Sequence, residues 1–205
     1  MAERIVFLDA CVLYPPLVRA LVLGAAAAGL IAPRWSPRVL AEWRIAAARQ
    51  GGLEAEDRVE GAIARIEARF PAAAVTPAPG AGQAHALPDP ADAHVLAAAI
   101  AAGAGVLLTF NLRDFPRRSL AAHGLAARHP DGFLWELFGE APDVLDAAMR
   151  QTDSDRPGDP GFAGDPGDPG DPGDPDHTRR ALKRAQLPRL AKAWHAWRRD
   201  PSQAG

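Results

Sequence analysis

The stretch DPADAHVLAAAIAAGAGVLLTFN, residues 89–111, decides the fold class. Asp89-Pro90 has the form of a helix start: an acceptor side chain at the N-cap and a proline with φ already set for the first helical position. The alanine-rich run that follows is helical to Ala102 and stops at Gly103. Val106 to Thr109 is then a short apolar run without alternation, the pattern of a strand covered on both faces. A second such run, Ile5-Val6-Phe7-Leu8, closes on Asp9. Helix, glycine turn and buried strand make a βα repeat. The expected fold is a three-layer α/β arrangement, a central parallel sheet flanked by helices, with a helical C-terminal extension.

Working outward, Pro15-Pro16 starts a helix over about 16–28 ended by Gly29, and Ser36-Pro37 caps another that stops before Gly51-Gly52. A further helix covers about 54–70. Ala73–Thr76 is a candidate short strand, and Pro77–Ala86 a Pro/Gly/Ala loop. A short helix is expected over about 112–123, an edge strand over Leu125–Arg128, and helices from Pro130 to Phe138 and Pro142 to Arg150.

The chain has 205 residues, 48% of them hydrophobic, enough for a substantial core. A lone cysteine, Cys11, excludes a disulfide framework and reads as a small core residue. No signal peptide is expected in Met1-Ala2-Glu3-Arg4, and the apolar stretch from Ala20 to Pro33 is too short to span a bilayer, so the expected compartment is the cytoplasm.

Charge is segregated at the C-terminal end. Glycine recurs every third residue at 158, 161, 164, 167, 170 and 173, among Asp153, Asp155, Asp159, Asp165, Asp168, Asp171, Asp174 and Asp176. Six triplets are too few for a collagen helix, so 151–177 is expected to be an acidic, disordered Gly-Asp-Pro linker. It separates a domain over 1–150 from a basic amphipathic helix over 178–200. That helix carries Arg179, Arg180, Lys183, Arg184, Arg189, Lys192, Arg198 and Arg199, with Leu182, Leu190, Trp194 and Trp197 as its apolar side and Pro188 interrupting it. Arginines interleaved with tryptophans are a candidate RNA surface, for which Arg179, Arg180, Lys183, Arg184, Trp194 and Trp197 are named; a helix packed on the domain is the plainer account.

Several polar groups fall at strand ends or on the helices beside them: Asp9, Glu42, Asp92, Thr109, Asn111 and Asp114. Each has an ordinary explanation. Asp9 could cap a turn, Glu42 could pair with Arg38 one turn earlier, and Asp89/Asp92 and Asn111/Asp114 both show cap spacing. Together they lie where open α/β sheets bind ligands. Carboxylates gathered there repel one another unless a hard divalent cation intervenes, and such cations handle phosphate esters. The histidines at 85, 94, 123, 129, 177 and 195 show no paired zinc-ligand spacing. The turn after the first strand lacks the glycines of a dinucleotide site, there is no P-loop, and Cys11 stands where a haloacid-dehalogenase-like enzyme needs a second aspartate.

Four pieces in order carry a family resemblance: Phe7-Leu8-Asp9-Ala10-Cys11-Val12-Leu13, Ser36-Pro37-Arg38-Val39-Leu40-Ala41-Glu42, Asp89-Pro90-Ala91-Asp92-Ala93-His94-Val95-Leu96, and Leu108-Thr109-Phe110-Asn111-Leu112-Arg113-Asp114-Phe115. Over roughly residues 4–130 the chain resembles PIN domains, most of all the VapC-type toxins of bacterial toxin–antitoxin pairs. The resemblance implies a metal-dependent endoribonuclease. Asp9, Glu42 and Asp92 correspond to ligands of Mg²⁺ or Mn²⁺, and Thr109 to the hydroxyl that helps hold water or the scissile phosphate. The family's fourth acidic position is Asn111 here, a departure that Asp114 could compensate. An RNA substrate, a cognate antitoxin and homodimerisation are implied in the same way. The rival expectation is a PIN-like module that binds RNA or protein without cutting.

Overall fold

The computed structural model describes residues 4–81, 87–154 and 175–199. Most of the Gly-Asp-Pro run, together with His85 and the end of the Pro/Gly/Ala loop, lies outside the described residues.

The sheet has four parallel strands in the order β2-β1-β3-β4: β1 Ile5–Leu8, β2 Ala32–Arg34, β3 Val106–Leu108 and β4 Ala126–Arg128. The two central strands are the two apolar runs, as expected of strands buried on both faces, and Phe7, Leu8, Leu107 and Leu108 are fully enclosed. The edge strand β4 agrees with the sequence pattern, whereas β2 has no counterpart in it. Pro33 hides β2 from a sequence reading, yet proline is tolerated at an edge. Ala32 donates its N–H to Arg4 of the β1 side at 2.9 Å. Alternate residues of a strand donate to the same neighbour, so the N–H missing at Pro33 is one that would point away from the sheet. The candidate strand at 73–76 reduces to a single parallel bridge between Trp35 and Ala74.

Between the strands run α1 Ala10–Leu13, α2 Pro16–Ala27, α3 Pro37–Arg69, α4 Ala93–Ala101 and α5 Arg117–Ala121, and after β4 come α6 Pro130–Glu140, α7 Pro142–Ser154, α8 Pro175–Arg184 and α9 Pro188–Arg198. Ser36 caps α3 as expected, its Oγ accepting the Val39 N–H at 3.2 Å with Pro37 at the first position. The two helices expected on either side of Gly51-Gly52 form one kinked helix. Gly52, at φ 65°, is the break, a conformation that costs a residue without Cβ nothing. The helix expected at 112–123 is split: a 3₁₀ turn at Leu112–Asp114, then α5 after Pro116.

The chain divides into two units. One comprises residues 1–14 and 31–129, the other 15–30 and 130–205. The first holds the sheet, and its core includes Val6, Phe7, Trp35, Trp43, Leu96 and Leu108. The second is helical, and its division differs from a boundary at 150 because α2 packs with α6 and α7. A Cβ built on Gly24 of α2 would stand 2.5 Å from the Cβ of Ala148, so only glycine permits that approach. The ends of the expected linker are helical, belonging to α7 and α8.

The expected C-terminal helix is two helices. After α8, Gln186 takes φ 61° and the Leu187 N–H returns to the Leu182 carbonyl at 2.9 Å, a left-handed helix stop. Pro188 then opens α9, whose N-terminal N–H groups at Arg189 and Leu190 donate to the Asp131 carboxylate of α6 at 2.9 and 3.1 Å. Among the described residues no helix is long and apolar enough to cross a membrane.

Candidate active site

The chain runs from β1 to β2 on one side and returns to β3 on the other, so the sheet's topological switch falls between β1 and β3. That is where a parallel sheet leaves a crevice beyond its carboxyl ends. Leu8 pairs with Leu108, and the next residues, Asp9 and Thr109, therefore emerge side by side. The Thr109 hydroxyl donates to Asp9 Oδ2 at 2.7 Å, across 100 positions of sequence. The Cys11 thiol donates to the same oxygen at 3.1 Å. Asp9 Oδ1 takes part in neither bond. Both donors are anchored in turn: the Phe110 N–H donates to Cys11 Sγ at 3.3 Å and the Asn111 N–H to Thr109 Oγ1 at 3.0 Å.

Asp9 stands at the N-cap position of α1, but its side chain makes no cap hydrogen bond. The ordinary explanation for it therefore fails. Asp92 is in the same position with respect to α4 and also makes no cap bond, while the capping is done by Asp89, whose Oδ1 accepts the Ala91 N–H at 2.8 Å. Asp92 is pushed up to about 6, by burial first and then by the negative charges of Asp9, Asp114 and Asp89, with only His94 opposing. Asp92 thus stands under the charges of three other carboxylates, with only His94 opposing them. Asn111 is exposed and its side chain caps nothing.

Glu42 is differently placed. It does pair with Arg38, at 3.4 Å, and its Oε1 is also 2.7 Å from His94 Nε2. Burial would raise its carboxyl, but the His94 hydrogen bond and charge, with Arg38 behind them, outweigh burial and hold it below the usual range. Ligand spacing gives no hint of a role for His94, because its partner lies on another helix, 52 positions away by number. Cys11, read as core filler, is a member of the Asp9 cluster. Its thiol is pushed up to about 12 by burial and by Asp9, so it remains a protonated donor.

These oxygen donors suit a hard cation. The neighbouring negative charges that, after burial, raise Asp92 are what a bound cation would offset. Among the described residues, no three His, Cys, Asp or Glu side chains are already drawn together as a ligand group, and Glu42 is engaged by His94 and Arg38. In donor chemistry the residues fit Mg²⁺ or Mn²⁺, which need only one or two carboxylates beside water and phosphate oxygens.

The residues named for an RNA surface lie in the second unit. Arg180, Lys183 and Arg184 are exposed, and Arg179 is 3.8 Å from Asp176. Trp194 is not available for base stacking. It is 3% exposed, and its indole N–H donates to the buried Asp146 at 2.9 Å. Trp197 lies edge-on against Phe138, with ring centroids 5.8 Å apart.

Comparison with known proteins returns one consistent theme. A family described as PIN domain matches residues 5–113. A curated protein of Mycobacterium tuberculosis named "Putative ribonuclease VapC50" is 39% identical over 72 residues, 34% of this chain and 43% of the relative. The chain therefore spans less than half the length of that relative. No solved structure matches the chain significantly.

Proposed function

Because this chain belongs to the PIN-domain family, we propose that it is a metal-dependent endoribonuclease of the VapC type, the toxin of a toxin–antitoxin pair, acting in the cytoplasm. The observation that carries the reading is a pair of carboxylates at helix starts that cap no helix. Asp9 and Asp92 occupy helix-cap positions and cap nothing, and Asp92 is lifted to about 6 by burial first and then by the charges of Asp9, Asp114 and Asp89. A protein gains nothing in stability from that repulsion, which costs free energy until a cation or a proton offsets it.

Asp9, Glu42, Asp92 and Asp114 are the residues that would hold Mg²⁺ or Mn²⁺. When bound, such a cation supplies an activated water for phosphodiester hydrolysis and neutralises charge that builds on the phosphate. The protein's own contribution is positional. Thr109 fixes the Asp9 carboxylate at one oxygen. Asn111, exposed beside them, can orient a water or a phosphate oxygen through its amide. Glu42 enters the ligand set as its contact with His94 loosens. Arg179, Arg180, Lys183 and Arg184 would meet the phosphates of a longer RNA, and a cognate antitoxin and a second copy of the chain are the protein partners.

A non-cutting, RNA- or protein-binding module is the second reading. It draws on Asn111 in place of a fourth acid and on the engagement of Glu42 by His94 and Arg38. The deciding experiment is cleavage of a mixed single-stranded and structured RNA pool with Mg²⁺ or Mn²⁺ against EDTA, beside Asp92→Asn. Metal-dependent cutting that the variant loses supports the nuclease. Metal binding without cutting favours the binding module.

A further inference from the structure

Cys11 has no role in the function proposed so far, yet its surroundings are those of a working part. Its thiol is 3.1 Å from Asp9 Oδ2, 3.5 Å from Thr109 Oγ1, and receives the Phe110 N–H at 3.3 Å. Those contacts join the end of β1 to the end of β3, the two strands that bring the acids together. Resting on the nuclease reading, we propose that Cys11 is a positioning residue: with Thr109 it holds Asp9 Oδ2 by two hydrogen bonds, so that Asp9 offers a cation its Oδ1 alone.

The chemistry follows from what a carboxylate can do. A free carboxylate binds a cation through one oxygen or chelates it through both. Mg²⁺ demands near-ideal octahedral geometry and is served by one oxygen per carboxylate, whereas the larger Ca²⁺ readily takes two. An oxygen that already accepts two hydrogen bonds has little capacity left for a metal. The clamp therefore biases the site toward the smaller ions. Thr109 alone does not suffice, because a single donor lets the carboxylate rotate about its bond. The second donor, approaching from the chain's own turn, stops that rotation. A thiol is a weak donor, but Asp9 Oδ2 at 3.1 Å is both charged and nearer than its other possible acceptor, Thr109 Oγ1 at 3.5 Å. Outer partners of metal ligands of this kind are typically worth 10–100-fold in affinity, and a thiol belongs at about the lower end.

Two measurements test this on the full chain. Since the chain has one cysteine, the S–H stretching band in the infrared reports Cys11 alone, in metal-free protein. It should show a hydrogen-bonded thiol that shifts in Asp9→Ala; an unshifted band would overturn the clamp whatever the protein's activity. Mn²⁺ binding by calorimetry, with Ca²⁺ as competitor, should then weaken about 10-fold in Cys11→Ala and Cys11→Val and become more easily displaced by Ca²⁺, while Cys11→Ser, which keeps a donor, stays near wild type. Equal loss in all three variants, or none in any, would mean that Cys11 only fills space. A wild-type protein that shows the bonded S–H band but binds no Mn²⁺ at all would instead count against the nuclease reading, and would overturn the metal-directed purpose of the clamp with it.

Discussion

His94 Nε2 and Glu42 Oε1 are 2.7 Å apart, joining α4 to α3 across the candidate site. The pair accounts for the lowered carboxyl of Glu42. Replacing His94 by alanine should raise that carboxyl toward its ordinary 4.5, read by carbon NMR titration of the side chain. The sign for stability follows: a depressed carboxyl stabilises above its unfolded value and loses that contribution as pH falls through the folded one. The loss in the variant is therefore present at pH 6 and shrinks below 4.5. Glu42 is 36% exposed, so screening keeps the effect within about 1 kcal/mol. A Glu42 titration unmoved by the substitution would dissolve the pair.

Asp92 carries the opposite sign. Its carboxyl lies at about 6 in the folded chain against 3.8 for an ordinary aspartate. Its contribution is greatest below 3.8 and is lost as pH rises through 6. In EDTA, Asp92→Asn should therefore be more stable than wild type at pH 7, by about 1 kcal/mol once solvent screening is counted. The gap should close as pH falls toward 4. Chemical denaturation of both proteins across that range measures it, and a gap independent of pH would show that Asp92 is not under its neighbours' charge. Adding Mn²⁺ should reverse the order, because only the wild type retains the full ligand set.

Thr109→Val has nearly the shape of the native residue but removes both the donor to Asp9 Oδ2 and the acceptor for the Asn111 N–H. Leaving a buried carboxylate short of a donor costs about 1–3 kcal/mol. Cleavage should fall with it. Thr109→Ser keeps the hydroxyl and should retain most of the activity while giving up about one methyl's worth of burial. Equal cleavage by the two variants would relieve the hydroxyl of any part in the reaction.

Asp131 caps α9 from far away in sequence, accepting the N–H groups of Arg189, 58 positions on, and of Leu190. Asp131→Ala should cost about 1 kcal/mol and loosen the start of α9 first. Hydrogen exchange would show this as faster exchange at 189–191 ahead of the rest of the second unit. Uniform loss of protection would mean that the cap holds more than one helix end.

The basic residues of α8 invite a charge test rather than a truncation. Leu182, Leu190 and Trp194 are buried, so removing 178–205 would open a core as well as remove charge. Changing Arg179, Arg180, Lys183 and Arg184 together to glutamine should leave folding intact, weaken RNA binding and flatten its dependence on salt. The log–log slope should fall by about 0.7 for each single-strand phosphate that the variant no longer neutralises. An unchanged slope would take this face out of RNA recognition.

Much of the architecture is legible in the chain because it depends on neighbours in sequence. Ser36-Pro37 and Asp89-Pro90 start helices by satisfying N–H groups two or three residues on, and both do so here. The buried runs at 5–8 and 106–108 are strands because nothing in them suits water. The illegible parts are either too short or too contrary to pattern, as in Ala32-Pro33-Arg34, where an edge position excuses the proline.

The residues alone determined that Asp9 and Thr109 end strands, that Glu42 and Asp92 ride on helices beside them, and that the pattern is that of a PIN domain. They could not determine which partners those side chains meet. Asp9 meets Thr109 because Leu8 pairs with Leu108 in a parallel sheet, Glu42 meets His94 because two helices bring them together, and Trp194 is buried on Asp146 although it sits among arginines in sequence. Such partners are chosen by register and packing, which act between positions tens of residues apart. Helix caps and strand polarity act within three or four residues, and so could be read directly from the chain.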